Sequence, residues 1–386
     1  MNSQRIVIAM IDGLGTDYFE ASEMPRIKAM ANNGFYKTVS AVMPTVTNAN
    51  NASICCGAFP DEHGITGNSY FDETLNQPEY MEDGNSILVP TMIQRARMHG
   101  VKSALLTSKK KTIRLLGADT EIAISAEEAP ADMIEKFGPA PDIYSREINY
   151  WLWQLALDIL QNRPDIGFLY VHTTDYPMHM WPPEAEESRA HQAELDRLLG
   201  QVTDIAPDAA LMITADHGMN YKKRCWDLAK ACERRQQPLR FALSAERDRY
   251  IKHHRTFGGT AWIWLNHPED ADEVSRLLLS LEGVEQVLTR EEAAKQFHLL
   301  AERIGDLVVL GDKDTVFGEL EEVEMEDLPA HYRTHGSTHE MEVPLIVHNF
   351  KGAIPAADKF SFNLHLSRNL LAPIWPVTAD KIAANQ

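Results

Sequence analysis

Cysteine is scarce: 4 in 386 residues, with no C-x-x-C pair among Cys55, Cys56, Cys225 and Cys232. That density excludes a disulfide framework and points to a reduced, cytoplasmic protein. No stretch approaches the ~18 continuous apolar residues of a membrane span. Basic residues are in deficit, 37 against 56 acids, for a formal charge of −19. A nucleic-acid scaffold and an anionic membrane surface both favour basic patches, so neither partner is expected. A small anionic substrate is not excluded, because a site can be locally positive inside an acidic protein. The opening Met1–Gly13 runs straight into an apolar stretch that already carries Asp12. We therefore expect no signal peptide. Internal repeats and low-complexity segments are also absent, and nothing in the sequence decides whether the chain forms a homo-oligomer.

What remains is an ordinary globular composition, 44% hydrophobic and 24% charged, able to bury a large core. Length gives a prior of two or three domains. Short apolar runs at Arg5–Ile11, Ser103–Thr107, Ile166–Val171 and Ala209–Thr214 read as buried strands. Helical patterns at Thr91–His99 and Ile148–Leu160 lie between them. This alternation predicts an α/β fold, a doubly wound and largely parallel sheet with helices on both faces. From about Leu239 to Phe317 the texture changes to strands and short helices, which we expect to form a smaller α+β cap insertion. The expected organisation is a catalytic core over 1–238 and 318–386, with the cap over 239–317. The core includes the apolar run Val343–Val347.

Three predicted strands end directly in polar residues: Asp12-Gly13, His172-Thr173-Thr174-Asp175 and Ala215-Asp216-His217-Gly218. Ligands bind at the carboxyl ends of strands in open α/β sheets. Asp175 and His179 are four apart and can share one helical face. Asp216 and His217 are adjacent and can serve one site only at an irregular strand end, which is where they sit. His335 in T-H-G lies beside a glycine that permits close backbone approach. Aspartate and histidine together suit zinc or a similar divalent ion. Six such ligands are too many for one tetrahedral ion and about right for two. Thr47 precedes a predicted helix Asn48–Cys56 closed by Gly57, where backbone N–H groups favour a phosphate-like anion. Taken alone, Thr47 reads as a helix cap rather than a nucleophile. Cys55 and Cys56 read as buried packing residues.

The segments M-P-T-V-T-N, P-D-E-H-G-I-T-G-N, D-x-x-x-H, T-A-D-H-G-M and T-H-G occur in that order. Together they resemble the alkaline phosphatase superfamily, on its nucleotide pyrophosphatase/phosphodiesterase branch. Within that branch the chain is most similar to the phosphonoacetate hydrolases, through T-T-D-Y, T-S-K-K-K with R-L-L-G, and I-G-D-L-V-V-L. The resemblance implies two zinc ions, with manganese or iron accepted by the same ligands. Asp175, His179 and His335 would hold one ion; Asp12, Asp216, His217 and the Thr47 oxygen would hold the other. It also implies Thr47 as nucleophile, Asn68 as a donor to a phosphoryl oxygen, and Lys109 and Lys111 as binders of the substrate carboxylate. Thr47, Asn68, Lys109, Lys111 and His179 would then contact a small anionic phosphonate. An extended segment would point Lys109 and Lys111 the same way and Lys110 toward water. Without the resemblance, K-K-K reads as a solvated charge run. His63, His172, His253, His254 and His339 match no ligand position and read as structural or surface residues. The rival activity is a phosphodiesterase or nucleotide pyrophosphatase on the same metals. A metal-stabilised binding protein without turnover is the rival from another class.

Overall fold

The computed structural model describes residues 4–250, 252 and 255–377. Its core is a seven-stranded sheet in the order Phe35–Ser40, Glu342–His348, Ala210–Thr214, Ile6–Met10, Ile166–His172, Lys102–Thr107, Ile122–Ser125. Only Glu342–His348 runs antiparallel to its neighbours. Every residue of Ile6–Met10 and Ala210–Thr214 is buried, as expected for strands covered on both faces. The apolar runs that predicted these strands therefore reflect two-sided burial. Register then fixes the site. Met10 pairs with both His172 and Thr214, and Thr107 also pairs with His172. The carboxyl ends of four strands are thus level, and the polar residues after each emerge along one edge.

The predicted helices form as Met92–Met98 and Glu147–Asn162. The first is capped by Thr91, whose hydroxyl accepts from Gln94 N while the Gln94 side chain accepts from Thr91 N. No described helix is long and apolar enough to cross a membrane.

The later part of the chain builds a four-stranded antiparallel sheet, ordered Phe241–Ser244, Thr260–Trp264, Leu307–Gly311, Val284–Thr289. Helices Ala271–Leu279 and Arg290–Phe297 accompany it. One apolar face, including Leu243, Trp262, Val308 and Leu310, packs on Met43, Val46 and Ala49. The other includes Ile263 and Val309 and packs on Trp226, Leu228 and Ala231. The second of these strands begins at Thr260. Residues before it leave the sheet to meet the His335 loop: Gly259 N donates to the His335 carbonyl at 3.0 Å. A side chain at Gly259 would press on Ser337 Cβ at 2.4 Å.

A buried ion pair braces that loop. Lys222 Nζ lies 2.8 Å from Glu340 Oε1, and neither side chain is exposed. Glu340 Oε2 also accepts from Ser337 N and Oγ at 2.9 and 2.7 Å. Burial alone would raise the Glu340 pKa, but Lys222 outweighs it and holds the carboxyl at about 2. Because the folded value lies below the ordinary one near 4.3, this contribution is complete above that pH. It fades as pH falls toward the folded value. Lys222→Met strands the carboxylate and should cost about 3–5 kcal/mol in urea denaturation at pH 7. It should also flatten the loss of stability below pH ~4.5; an unchanged urea midpoint would show the pair to be energetically neutral.

Candidate metal centre and phosphoryl site

Asp12 follows the central strand, and its backbone N donates to Thr173 Oγ1 at 2.9 Å, pinning it to the neighbouring strand end. Gly13 next to it has φ +75°, and a side chain there would meet Asp175 Cβ at 3.0 Å. Glycine is what lets the two acidic loops approach. Asp216 Oδ1 accepts from Gly13 N and His217 N, both at 3.0 Å. His179 lies on the short helix Tyr176–Met180, and its Nε2 faces Asp175 Oδ2 at 2.8 Å. Gly336, with φ +105°, follows His335 and lets the backbone turn sharply against Gly259. The His217 and His335 rings stack with centroids 3.5 Å apart. His335 Nε2 is 3.5 Å from Asp175 Oδ2, and His217 Nε2 is 3.5 Å from Asp12 Oδ1. The structure brings all six predicted ligands together, every one of them buried.

Their hydrogen bonds show which atoms face inward. Nδ1 of His179, His217 and His335 each meets a backbone carbonyl, of Arg333, Gly218 and Thr45, at 2.7, 2.9 and 2.7 Å. A carbonyl only accepts, so Nδ1 carries the proton and Nε2 presents a lone pair when the ring is neutral. Among the described residues, Asp12 Oδ1, Asp216 Oδ2, His217 Nε2 and His335 Nε2 are buried with no hydrogen-bond partner. Such lone-pair atoms aimed at one another are costly unless a cation lies between them. Two overlapping groups lie within 4.8 Å: Asp175, His217 and His335, and Asp12, Asp216 and His217. This donor set fits divalent metal.

Without a cation the electrostatics are strained in the expected direction. Burial, then the Asp175 and Asp216 charges, push the Asp12 pKa well above the carboxylate range. Burial lifts Asp216 to about 7 and holds His217 and His335 down to about 4 and 3. Asp175 alone is held low: burial opposes this, but His179, His335 and Lys109 outweigh it.

Thr47 is the first residue of the helix Thr47–Cys56, one position earlier than predicted, and is 5% exposed. Val46 before it is extended and fully buried, which fixes where the helix starts. Thr45 is tied on both sides of its hydroxyl, donating to Ser337 O at 2.7 Å and accepting from Gly336 N at 3.0 Å. No such pair ties the Thr47 hydroxyl among the described residues. Asn48 N, one residue on, donates to Asn68 Oδ1 at 3.0 Å, so Asn68 stands beside Thr47.

Lys109 and Lys111 are 5% and 2% exposed, whereas the Lys110 side chain is 42% exposed and paired with Glu128. The inward pair is as expected, but its geometry differs. The segment is not extended: Lys109 caps a helix over Lys110–Leu116, and both buried ammonium groups come from its start. Lys111 Nζ is paired with Asp248, fully buried. Lys109 forms no ion pair among the described residues. Burial opposes its charge, yet Asp175, Asp248, Asp12 and Glu246 raise its pKa, so it stays protonated.

Sequence reasoning missed Glu246 and Asp248, 3% and 5% exposed, which enter the site from the insertion. They follow a strand of that insertion and carry no motif. Burial and the charges of Asp175 and Asp248 raise the Glu246 pKa well above its usual value. His172, expected to be structural, is buried against a ligand. Its Nδ1 accepts from Asn51 Nδ2 at 3.0 Å, so its Nε2–H points at Asp12 Oδ2, 3.2 Å away, and orients that carboxylate. His63 bonds Ser53 in the core and His339 pairs with Glu285 at the surface, as expected of them. His253 and His254 lie outside the described residues. Cys55 and Cys56 are buried, and burial pushes the Cys55 thiol up to about 12, so it packs rather than reacts.

The type I phosphodiesterase / nucleotide pyrophosphatase family matches residues 6–338. A venom phosphodiesterase of Macrovipera lebetinus is 26% identical over 226 residues, 55% of this chain and 25% of its own length. A bis(5'-adenosyl)-triphosphatase, enpp4 of Mus musculus, is 24% identical over 246 residues, 60% of this chain and 51% of its own. The chain thus spans about a quarter to half of these curated relatives. Phosphonoacetate hydrolase from Sinorhizobium meliloti 1021, solved with phosphonoacetate, superposes with a TM-score of 0.86 at 26% identity, over 96% of each chain. Murine ectonucleotide pyrophosphatase / phosphodiesterase 5 shares the fold, with a TM-score of 0.68 at 19% identity over 97% of this chain and 96% of that one. The family match covers most of the sequence and every candidate ligand but none of the chain beyond residue 338: the chain belongs to the type I phosphodiesterase / nucleotide pyrophosphatase family of the alkaline phosphatase superfamily.

Proposed function

We propose that this phosphoesterase-type hydrolase cleaves the carbon–phosphorus bond of phosphonoacetate, giving acetate and phosphate through a phospho-threonine intermediate. The observation that carries the reading is Lys109, a buried ammonium without an ion-pair partner among the described residues, beside the ligand cluster. A phosphodiester has no group that needs it. A carboxylate two bonds from phosphorus does. The likeness to phosphonoacetate hydrolase over 96% of both chains supports the same reading.

Asp175, His179 and His335 would hold one divalent ion, and Asp12, Asp216, His217 and Thr47 a second. Bound there, such ions supply Lewis acidity and offset the charge of the phosphonate and of an ionised hydroxyl. Thr47 attacks phosphorus in line from the start of its helix, where the dipole favours the phosphoryl anion. Asn68 donates to a phosphoryl oxygen. As the Thr47 O–P bond forms, its hydroxyl proton passes to water, the P–C bond breaks and the electron pair moves to carbon, which takes a proton back from water to give acetate. The adjacent carboxylate delocalises that pair as an enolate, and the Lys109 ammonium meets the charge growing on its oxygen. Lys111, fixed by Asp248, holds the second carboxylate oxygen. Water then cleaves phospho-Thr47 and releases phosphate.

Two divalent ions per chain are expected by elemental analysis after reconstitution with zinc, and one in His335→Ala. A single ion, or none, in the reconstituted parent would sink the two-metal reading.

Substrate choice is tested by kcat/KM for phosphonoacetate and an aryl phosphodiester in three variants. A charge-assisted hydrogen bond is worth roughly 1.5–3 kcal/mol, so Lys109→Ala and Lys111→Ala should each lose about tenfold to a hundredfold on phosphonoacetate. Part of that loss should appear in kcat, because the attraction grows as charge moves onto the enolate. The phosphodiester should barely respond, and Lys110→Ala should affect neither substrate. Equal losses on both substrates, or none on phosphonoacetate, would favour the phosphodiesterase activity seen in the names of the curated relatives.

A further inference from the structure

Glu246 is an anomaly in a site built for anions. It is 3% exposed, it comes from the insertion, and its carboxylate lies among the groups that would receive a phosphonate. A side chain at Gly258 would approach its Cβ to 2.7 Å, so the backbone opposite is cleared to admit it. Its one side-chain hydrogen bond among the described residues is accepted from Asn68 Nδ2 by Oε2, at 3.2 Å.

That bond completes the constraint on Asn68. Asn68 Oδ1 accepts from Asn48 N at 3.0 Å, and only an oxygen can do so. The amide nitrogen therefore faces the other way, with two N–H groups, one of which Glu246 takes. The backbone is pinned as well: Asn68 N donates to Ala245 O at 3.0 Å, and Asn68 O accepts from Met81 N at 2.9 Å. Asn48 Nδ2 closes the ring by donating to Met81 O at 2.8 Å. One Asn68 amide N–H is left over.

We propose that Glu246 is a positioning residue of the phosphoryl site, setting the Asn68 amide so that its remaining N–H meets a phosphorus-bound oxygen. This rests on the role given to Asn68 above. Glu246 Oε2, fixed in a buried side chain, is an acceptor that holds its donor in one place as bulk water would not. A donor held in place before the substrate arrives need not be ordered in the transition state. Glu246 Oε1 lies 3.6 Å from His335 Nε2, so a role as an extra metal ligand is the competing explanation.

The test is a double-mutant cycle on the metal-loaded full chain. It uses Asn68→Ala, Glu246→Ala and the pair, and whichever of phosphonoacetate and the aryl phosphodiester is turned over. Asn68→Ala should be clearly impaired; full activity there would overturn the phosphoryl role of Asn68, and this proposal with it. Given an impaired Asn68→Ala, Glu246→Ala should lower kcat/KM about tenfold, mainly in kcat, and cost less than about twofold in the Asn68→Ala background. Metal content should be unchanged. Glu246→Gln keeps an acceptor oxygen and the side-chain volume, and should recover to within about threefold of the parent. Equal losses from Glu246→Ala in both backgrounds, or loss of a metal equivalent, would overturn the positioning role while leaving that of Asn68 intact. If Glu246→Ala does not fold, the cycle is run with Glu246→Leu, and Glu246→Gln no better than Glu246→Leu would likewise overturn it.

Discussion

Everything in this site follows from one electrostatic constraint: three buried aspartates and three histidines converge with their lone pairs facing one another. Among the described residues Asp12 Oδ1, Asp216 Oδ2, His217 Nε2 and His335 Nε2 have no hydrogen-bond partner, and each of the three histidines turns its Nδ1 to a backbone carbonyl. A divalent cation turns the same arrangement from a liability into a binding site. The sheet makes the convergence reproducible. Strand ends level at Met10, His172 and Thr214 deliver Asp12, Asp175 and Asp216 to one place, and Gly13 and Gly336 allow their loops to close.

The insertion completes the site rather than merely covering it. Its inner apolar face packs on Met43, Val46 and Ala49, the residues that flank the Thr45–Thr47 turn and the start of its helix. The turn after its first strand supplies Glu246 to Asn68 and Asp248 to Lys111. The candidate metal ligands thus come from the core, while Glu246 and Asp248, the partners of Asn68 and Lys111, come from the insertion.

Five of the six candidate metal ligands were legible in the sequence because they follow a strand end or sit beside a glycine; His179, on the helix Tyr176–Met180, was legible through its four-residue spacing from Asp175. Thr47 was legible through the helix pattern and glycine stop that follow it. Within M-P-T-V-T-N the resemblance points to Thr47, and the Thr45 hydroxyl is already held by Ser337 O and Gly336 N. Lys109 and Lys111 were placed inward on an argument from extended spacing, yet a helix start achieves it. Local spacing could not reveal Glu246 and Asp248, because their partners, Asn68 and Lys111, are more than a hundred residues away. For the same reason His172 read as structural: only strand pairing brings it to Asp12.

The central claim is that Thr47 takes the phosphoryl group as the carbon–phosphorus bond breaks. Rapid acid quench of the zinc-loaded protein mixed with phosphonoacetate, followed by mass spectrometry of the peptide spanning Met43–Cys56, tests it directly. The account predicts phosphate on Thr47, none on Thr45, and acetate released in at least equal amount. Acetate and phosphate formed with no covalent adduct in Thr47→Ala at parent rates, or an adduct on Thr45, would contradict it.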